Sequence, residues 1–174
     1  RRPDLVDTLH HEVWGQGFAA PTFSEELEQR MQHSSLSSMG ADMADINNDD
    51  YPDIFVTDMY PADDYRLKTT SSYDNVEVHT RKVKEGFYHQ YMQNTLQVNN
   101  QSGAFVEAAH FSGVAGSDWS WGGLIFDADN DGDLDVIVSN TDTFATVYRN
   151  HLNDKGKSNY LRIQLVGDGK VLAT

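Results

Sequence analysis

The sequence predicts an all-β fold made of β-propeller blades. Three observations carry this: an internal repeat, short apolar runs between turn residues, and two Asp-rich loops of matching spacing. A shift of 82 positions lays residues 23–57 over 105–139 without a gap. Phe23, Glu25, Ser35, Ser38, Gly40, Asp45, Asn48, Asp49, Asp53 and Val56 then fall on identical residues. Ten identities in 35 positions exceed the about two expected from unrelated sequences of average composition. The two segments read as copies of one structural unit, of a size that suits propeller blades.

Along the chain, Trp14, Phe18 and Phe23, near its start, read as packing residues. Ile54-Phe55-Val56, Leu124-Ile125-Phe126 and Val136-Ile137-Val138 are short β-branched and aromatic runs of the kind that fill a doubly covered sheet. Thr95 to Val98 alternates, Asn99 to Gly103 supplies turn chemistry, and Ala104-Phe105-Val106 resumes a strand, which predicts a hairpin. Tyr60 to Gln93 is polar and mixed in charge, and reads as an insertion over about 60–93, partly helical near Phe87 to Gln93. Residues 1–157 are assigned to the blades. In 158–174, Tyr160 to Leu165 alternates as a half-exposed strand and opens a different module.

Composition excludes several function classes. With 27 acidic against 13 basic side chains, the net charge is −14. Nucleic-acid binding needs clustered Lys and Arg, and an anionic membrane surface disfavours an acidic chain. There is no cysteine, hence no disulfide framework, thiolate metal site or Cys nucleophile. No run of 18 or more apolar residues suggests membrane insertion, and Arg1-Arg2-Pro3 is followed by no apolar signal core.

The two loops carry the chemistry. In Asp127-Ala128-Asp129-Asn130-Asp131-Gly132-Asp133-Leu134-Asp135, side-chain oxygens stand at positions one, three, five and nine, and Asp133 offers its carbonyl at position seven. Ca²⁺ takes six to eight oxygens, and alternate residues of a tight loop point inward, so this spacing wraps one ion. Gly132 suits a left-handed turn at position six. The earlier copy presents Asp45, Asn47, Asp49, the Tyr51 carbonyl and Asp53, with Asp50 at the glycine position, which Asp tolerates better than most residues. An EF-hand would need a bidentate Glu at position twelve and flanking helices. Position twelve is Val138 or Val56, between strand-like flanks. Turn-making alone is the competing account of these residues. It leaves five carboxylates within nine residues repelling one another, whereas two Ca²⁺ would offset four of the fourteen excess charges.

Other constellations are weaker. His10-His11-Glu12 lacks a second His at helical spacing, so zinc is disfavoured. No nucleophile elbow or phosphate-cradling loop occurs. Trp119 and Trp121 straddle Ser120 and point to one face of a strand, where packing between blades is expected and a stacking platform for a sugar is the alternative. Within the insertion, Tyr60, Tyr65, Tyr73, Phe87, Tyr88 and Tyr91 form a candidate binding surface.

Gly40 to Asp49, and Trp119 to Asp127 continuing through Val138-Ser139-Asn140, resemble the FG-GAP/VCBS repeats of calcium-binding β-propellers. The match is closest to bacterial secreted or outer-membrane proteins that carry an ASPIC/UnbV module. Asn159 to Gly167 resembles that module's opening strand. The chain departs from the pattern at Asp50, and its ASPIC/UnbV-like part stops almost at once. The resemblance implies a seven-bladed parent, an exported location and a role in adhesion or recognition of a protein or glycan. Two to three blades make a partial ring, and open blade edges need cover. A fragment, or one part of an assembly completed by other chains, is therefore expected. The expected activity is non-enzymatic, with calcium structural. A hydrolytic, polysaccharide-active propeller and a scaffold subunit are the alternatives.

Overall fold

The computed structural model describes residues 23–70, 76–155, 165–167 and 170–173. Trp14, Phe18, Tyr73, His10-His11-Glu12 and most of the ASPIC/UnbV-like stretch lie outside these residues. A helical turn α1 (Leu27–Arg30) leads into β1 (Ser34–Ser35), β2 (Ala41–Ala44), β3 (Asp53–Val56) and β4 (Met59–Tyr60). Helices α2 (Asp64–Thr70) and α3 (Val76–Lys84) follow, then β5 (Gln90–Tyr91), β6 (Thr95–Asn99) and β7 (Phe105–Glu107). After a helical turn α4 (Ala109–Ser112) come β8 (Asp118–Phe126), β9 (Asp135–Asn140) and β10 (Thr146–Tyr148). A 3-10 turn spans Asn153–Lys155, and β11 (Leu165–Gly167) pairs with β12 (Lys170–Ala173).

The fold is broadly all-β, organised around two four-stranded antiparallel sheets. One has the order β2-β3-β6-β7 and the other β10-β9-β8-β4. The hairpin β6–β7 forms where Asn99 to Gly103 predicts it, with left-handed Gln101 and Gly103 and the Asn100 amide donating to the Ala104 carbonyl at 3.0 Å. The 82-residue repeat is visible in the topology. β2 and β3 pair as an antiparallel hairpin, as do the corresponding β8 and β9, and an Asp-rich loop closes each. The insertion then separates β3 from its next neighbour β6, and only β4 of the intervening segment crosses to the other sheet.

Residues paired across strands share a face. Asp42, Phe55 and Leu96 make one row of the first sheet. Ile125, Val136 and Tyr148, with Gly123 and Val138, make the facing side of the second. Phe55, Leu96, Ile125, Val136 and Val138 are buried between the sheets together with Ala109, Val114 and Ala115. The approach is close. A Cβ on Gly40 would lie 2.8 Å from the Gly122 Cα, and one on Gly123 would lie 2.9 Å from a Phe55 ring atom. Two polar bonds span the units: Ile125 N donates to Asp42 Oδ2 at 2.8 Å and Asn150 Nδ2 donates to the Ile46 carbonyl at 3.0 Å.

Three expectations need correction. The insertion's helices lie at α2 and α3, whereas the stretch expected to be helical, near Phe87 to Gln93, contains strand β5. Asp63 caps α2 by accepting from the Arg66 amide at 2.8 Å, and the ion pair of Lys68 with Asp64 supports its surface. In α3, Arg81 pairs with Glu85. Left-handed Gly86 ends the helix as the Phe87 amide turns back to the Lys82 carbonyl, which prevents its continuation into β5.

Trp119 and Trp121 do share a face, but it is the outer one: they are 38% and 60% exposed, while Ser120 between them is fully buried. Ser120 Oγ bonds to Ser117 and to Asn140, which holds the small polar side inward. Trp121 sits on a bulge, because Ser120 pairs with Asn140 and Gly122 with Ser139. Phe23 is 88% exposed and joins no core among the described residues.

Candidate metal centre

Each loop is closed by its own first and last carboxylates. In the first, Asp45 accepts from the amides of Asp49 (2.9 Å) and Asp50 (2.8 Å). In the second, Asp127 accepts from the amides of Asp131 and Gly132, both at 3.1 Å. Position five repeats the pattern: Asp49 Oδ1 accepts from Tyr51 N at 3.0 Å and Asp131 Oδ1 from Asp133 N at 3.1 Å. The backbone repeats as well. Positions four and six are left-handed in both loops, at φ +57° and +68° for Asn48 and Asp50 and +63° and +91° for Asn130 and Gly132. Position six was expected from Gly132. Position four was missed, although the identity of Asn48 with Asn130 marks it.

The second loop brings its ligands together. Asp127, Asp129 and Asp135 each offer an oxygen, and the three lie within 4.8 Å of one another. Two oxygens on one Ca²⁺, each about 2.3 to 2.6 Å from it, stand at most about 5 Å apart, so one ion can touch all three. Among the described residues no such three-carboxylate convergence forms in the first loop, where Asn47 holds position three and donates to Asp49 Oδ2 at 3.1 Å.

The remaining predicted ligands lie around these sets. Asp131 turns its Oδ2 to Arg149 Nη2 at 3.1 Å, and Arg149 Nε reaches Asp129 Oδ2 at 2.6 Å. Arg149 also pairs with Asp154, and these acidic neighbours, Asp131 first, hold its guanidinium firmly charged. Asp133 sits at position seven with its side chain fully buried. Its Oδ2 accepts from Asn153 N at 2.8 Å, while Oδ1 has no partner among the described atoms. Burial raises the Asp133 carboxyl above its ordinary range, and the neighbouring Asp131 charge adds to this. The Asp131 carboxyl is lowered by the Asp133 amide and by Arg149. Tyr51 is exposed, and its side chain takes no part.

Asp53 and Asp135, at position nine, are the anchors. Both are buried, and burial raises the Asp53 carboxyl, with the Asp49 and Asp45 charges contributing. Spacing between the repeats could not reveal three further contributors. Asn99 and Asn150 donate their amides to the anchors from strand ends that lie outside the gapless alignment, and Gln101 Nε2 donates to Asp49 Oδ2 at 3.2 Å. Position fourteen of each copy is a second anchor. Buried Asp58 accepts from Ser35 Oγ and the amides of Leu36 and Ser37, while Asn140 accepts from Ser120 Oγ. The converging oxygens of Asp127, Asp129 and Asp135 are hard donors of the kind that could hold a metal ion. Comparison of the chain with protein-family models, curated proteins and solved structures found no match.

Proposed function

We propose that the chain is a calcium-binding β-propeller segment of the FG-GAP/VCBS type, from an exported protein that acts in adhesion or recognition. The observation that carries this reading is the repetition of one hydrogen-bonded loop 82 residues apart, with three Asp oxygens converging in the second copy. Asp127, Asp129 and Asp135 would hold one ion with the Asp133 carbonyl, and Asp131 would join them by leaving Arg149. Asp45, Asn47, Asp49, the Tyr51 carbonyl and Asp53 would hold a second. The ion's part is structural: it supplies positive charge where carboxylates crowd, and so holds the β2–β3 and β8–β9 bends in shape. Calorimetric titration with Ca²⁺ tests the reading; two bound ions support it and heat-silent titration overturns it.

An exposed feature favours a glycan as the recognised ligand. Trp119 and Trp121 present indole surface on the outer side of β8, a platform on which a sugar ring can stack. Binding of oligosaccharides without cleavage, lost in Trp121→Ala, supports recognition; product formation would instead favour a hydrolase.

A further inference from the structure

Arg149 ties the second loop together from outside it. Its Nε reaches Asp129 Oδ2 at 2.6 Å, and its Nη2 reaches Asp131 Oδ2 and Asp154 Oδ1, both at 3.1 Å. Asp129 and Asp131 are positions three and five of the loop, whereas Asp154 lies in the 3-10 turn beyond it. The backbone beside Arg149 is fixed, because the next residue, Asn150, donates its amide to the Asp135 anchor at 2.8 Å. Asn99 makes the same bond to Asp53, so Arg149 holds the place that Val98 holds in the first copy. The contributor there is the neutral amide of Gln101, on Asp49 Oδ2. The difference follows the charge: the second loop carries five Asp in nine residues and the first carries four.

Position five shows whether the guanidinium supports an ion or stands in for one. Asp131 Oδ1 accepts from the Asp133 amide, as Asp49 Oδ1 does from the Tyr51 amide, so in both copies the loop backbone leaves Oδ2 for other partners. In the second copy Arg149 holds that oxygen, and Asp131 is absent from the convergence of Asp127, Asp129 and Asp135. Asp129 belongs to that convergence and to the Arg149 contact at once. A guanidinium and a divalent ion drawn to the same two carboxylates repel each other at close range, so the two cations exclude one another there.

We infer that Arg149 is a built-in counter-ion that competes with Ca²⁺ for Asp129 and Asp131, and that Asp154 keeps it when the ion arrives. In the calcium-free chain the guanidinium meets charge that five crowded carboxylates would otherwise leave unopposed, which keeps the β8–β9 bend in shape. Taking up the ion breaks two charge-assisted contacts, so the loop binds Ca²⁺ less tightly than its carboxylates alone would allow. The inference rests on the calcium reading of the second loop and adds what sets its affinity.

Calorimetric titration with Ca²⁺ and melting curves of the unaltered chain and Arg149→Gln test this. The second-loop site, identified as the one that Asp127→Ala removes, should bind Ca²⁺ about tenfold more tightly in Arg149→Gln, because the ion pairs to Asp129 and Asp131 no longer oppose it. In chelator Arg149→Gln should melt below the unaltered chain, and saturating Ca²⁺ should close that gap; a merely structural contact would lower both curves equally. In the unaltered chain the Arg149 Nε–H NMR signal, assigned by its absence from the Arg149→Gln spectrum, should be protected from water exchange in chelator and lose that protection with Ca²⁺. Equal or weaker binding by Arg149→Gln, a gap that survives saturation, or an Nε–H that stays protected would each overturn the inference while the calcium reading stands. A second loop that binds no ion in either protein would overturn the reading and the inference together.

Discussion

Asp53 and Asp135 occupy the same place in two loops 82 residues apart, with the same bonds to the same lengths. Asp53 accepts from Ile46 N at 3.0 Å and from Asn99 N at 2.8 Å. Asp135 accepts from Ala128 N at 3.0 Å and from Asn150 N at 2.8 Å. Each carboxylate ties the start of its loop to its end and the loop to the next strand. Replacement by Asn leaves one of the two amides facing an NH₂ group, and an unmet buried donor costs about 1 to 3 kcal/mol. Asp53→Asn and Asp135→Asn should each lower stability by that amount in chelator, measured by urea unfolding, while an exposed control such as Asp64→Asn stays within about 0.5 kcal/mol.

Calcium should raise the melting temperature. A ligand at about 100 times its Kd stabilises by about 2.7 kcal/mol, and at this chain length each kcal/mol moves the midpoint by about 2 to 4 °C. Chelation is therefore expected to cost about 5 to 10 °C for each occupied site, and about twice that when both are filled. Asp127→Ala, which removes one of the three converging oxygens, should abolish the share due to the second loop even in excess calcium. Scanning calorimetry with and without chelator reads both, and an unchanged curve on chelation would count against both sites.

The Gly40–Gly122 approach should be sensitive to a single methyl. A Cβ at position 40 meets backbone, 2.8 Å from the Gly122 Cα and 2.9 Å from the Trp121 carbonyl, so no side chain can swing aside. Gly40→Ala must part the two sheets and should cost about 1 to 3 kcal/mol. Gly123→Ala meets the Phe55 ring and a Thr57 methyl instead. Phe55 and Thr57 are themselves fully buried, so Gly123→Ala should also destabilise, by about 1 to 3 kcal/mol in the same urea measurement.

The strands, the β6–β7 hairpin and both loops were legible because local chemistry specifies them: apolar runs of three, a turn ending in Gly103, and alternating oxygens. What escaped depends on pairing between distant segments. Nothing near Asn150 says that its amide will meet Asp135, nor near Asp42 that it will receive Ile125 N across 83 residues. The outward turn of Trp119 and Trp121 escaped for a related reason. Period-two alternation puts both on one side of a strand, but which side is buried depends on Ser120 finding Ser117 and Asn140.

The position-six residues predict opposite outcomes for one exchange. Gly132, at φ +91°, takes a conformation that an L side chain resists, and Gly132→Ala should destabilise by about 1 to 2 kcal/mol. Asp50 already bears that strain at φ +68°, so Asp50→Gly relieves part of it and should be neutral or stabilising by up to about 1 kcal/mol. Paired unfolding curves in chelator separate this backbone effect from calcium binding.

Acidification should act in opposite senses on the calcium-free and calcium-loaded chain. Burial raises the folded-state pKa of Asp53 and Asp133 above the ordinary 3.8, so the folded chain binds more protons than the unfolded one in the window above 3.8. Their contribution to stability is therefore fully present below that value and is lost as pH rises through the raised pKa. Asp131, lowered by the Asp133 amide and Arg149, behaves conversely: its contribution holds above 3.8 and fails only as pH falls toward its lowered pKa. On the alkaline side of the ordinary Asp value the folded chain therefore takes up protons at Asp53 and Asp133 before the unfolded one does. The melting temperature in chelator should therefore climb on acidification. With calcium the ligands must stay ionised, so protons compete with the ion and the advantage shrinks over the same range. Melting curves at pH 7, 6 and 5, with and without calcium, should converge; a calcium-induced shift that grows as pH falls would contradict carboxylate ligation.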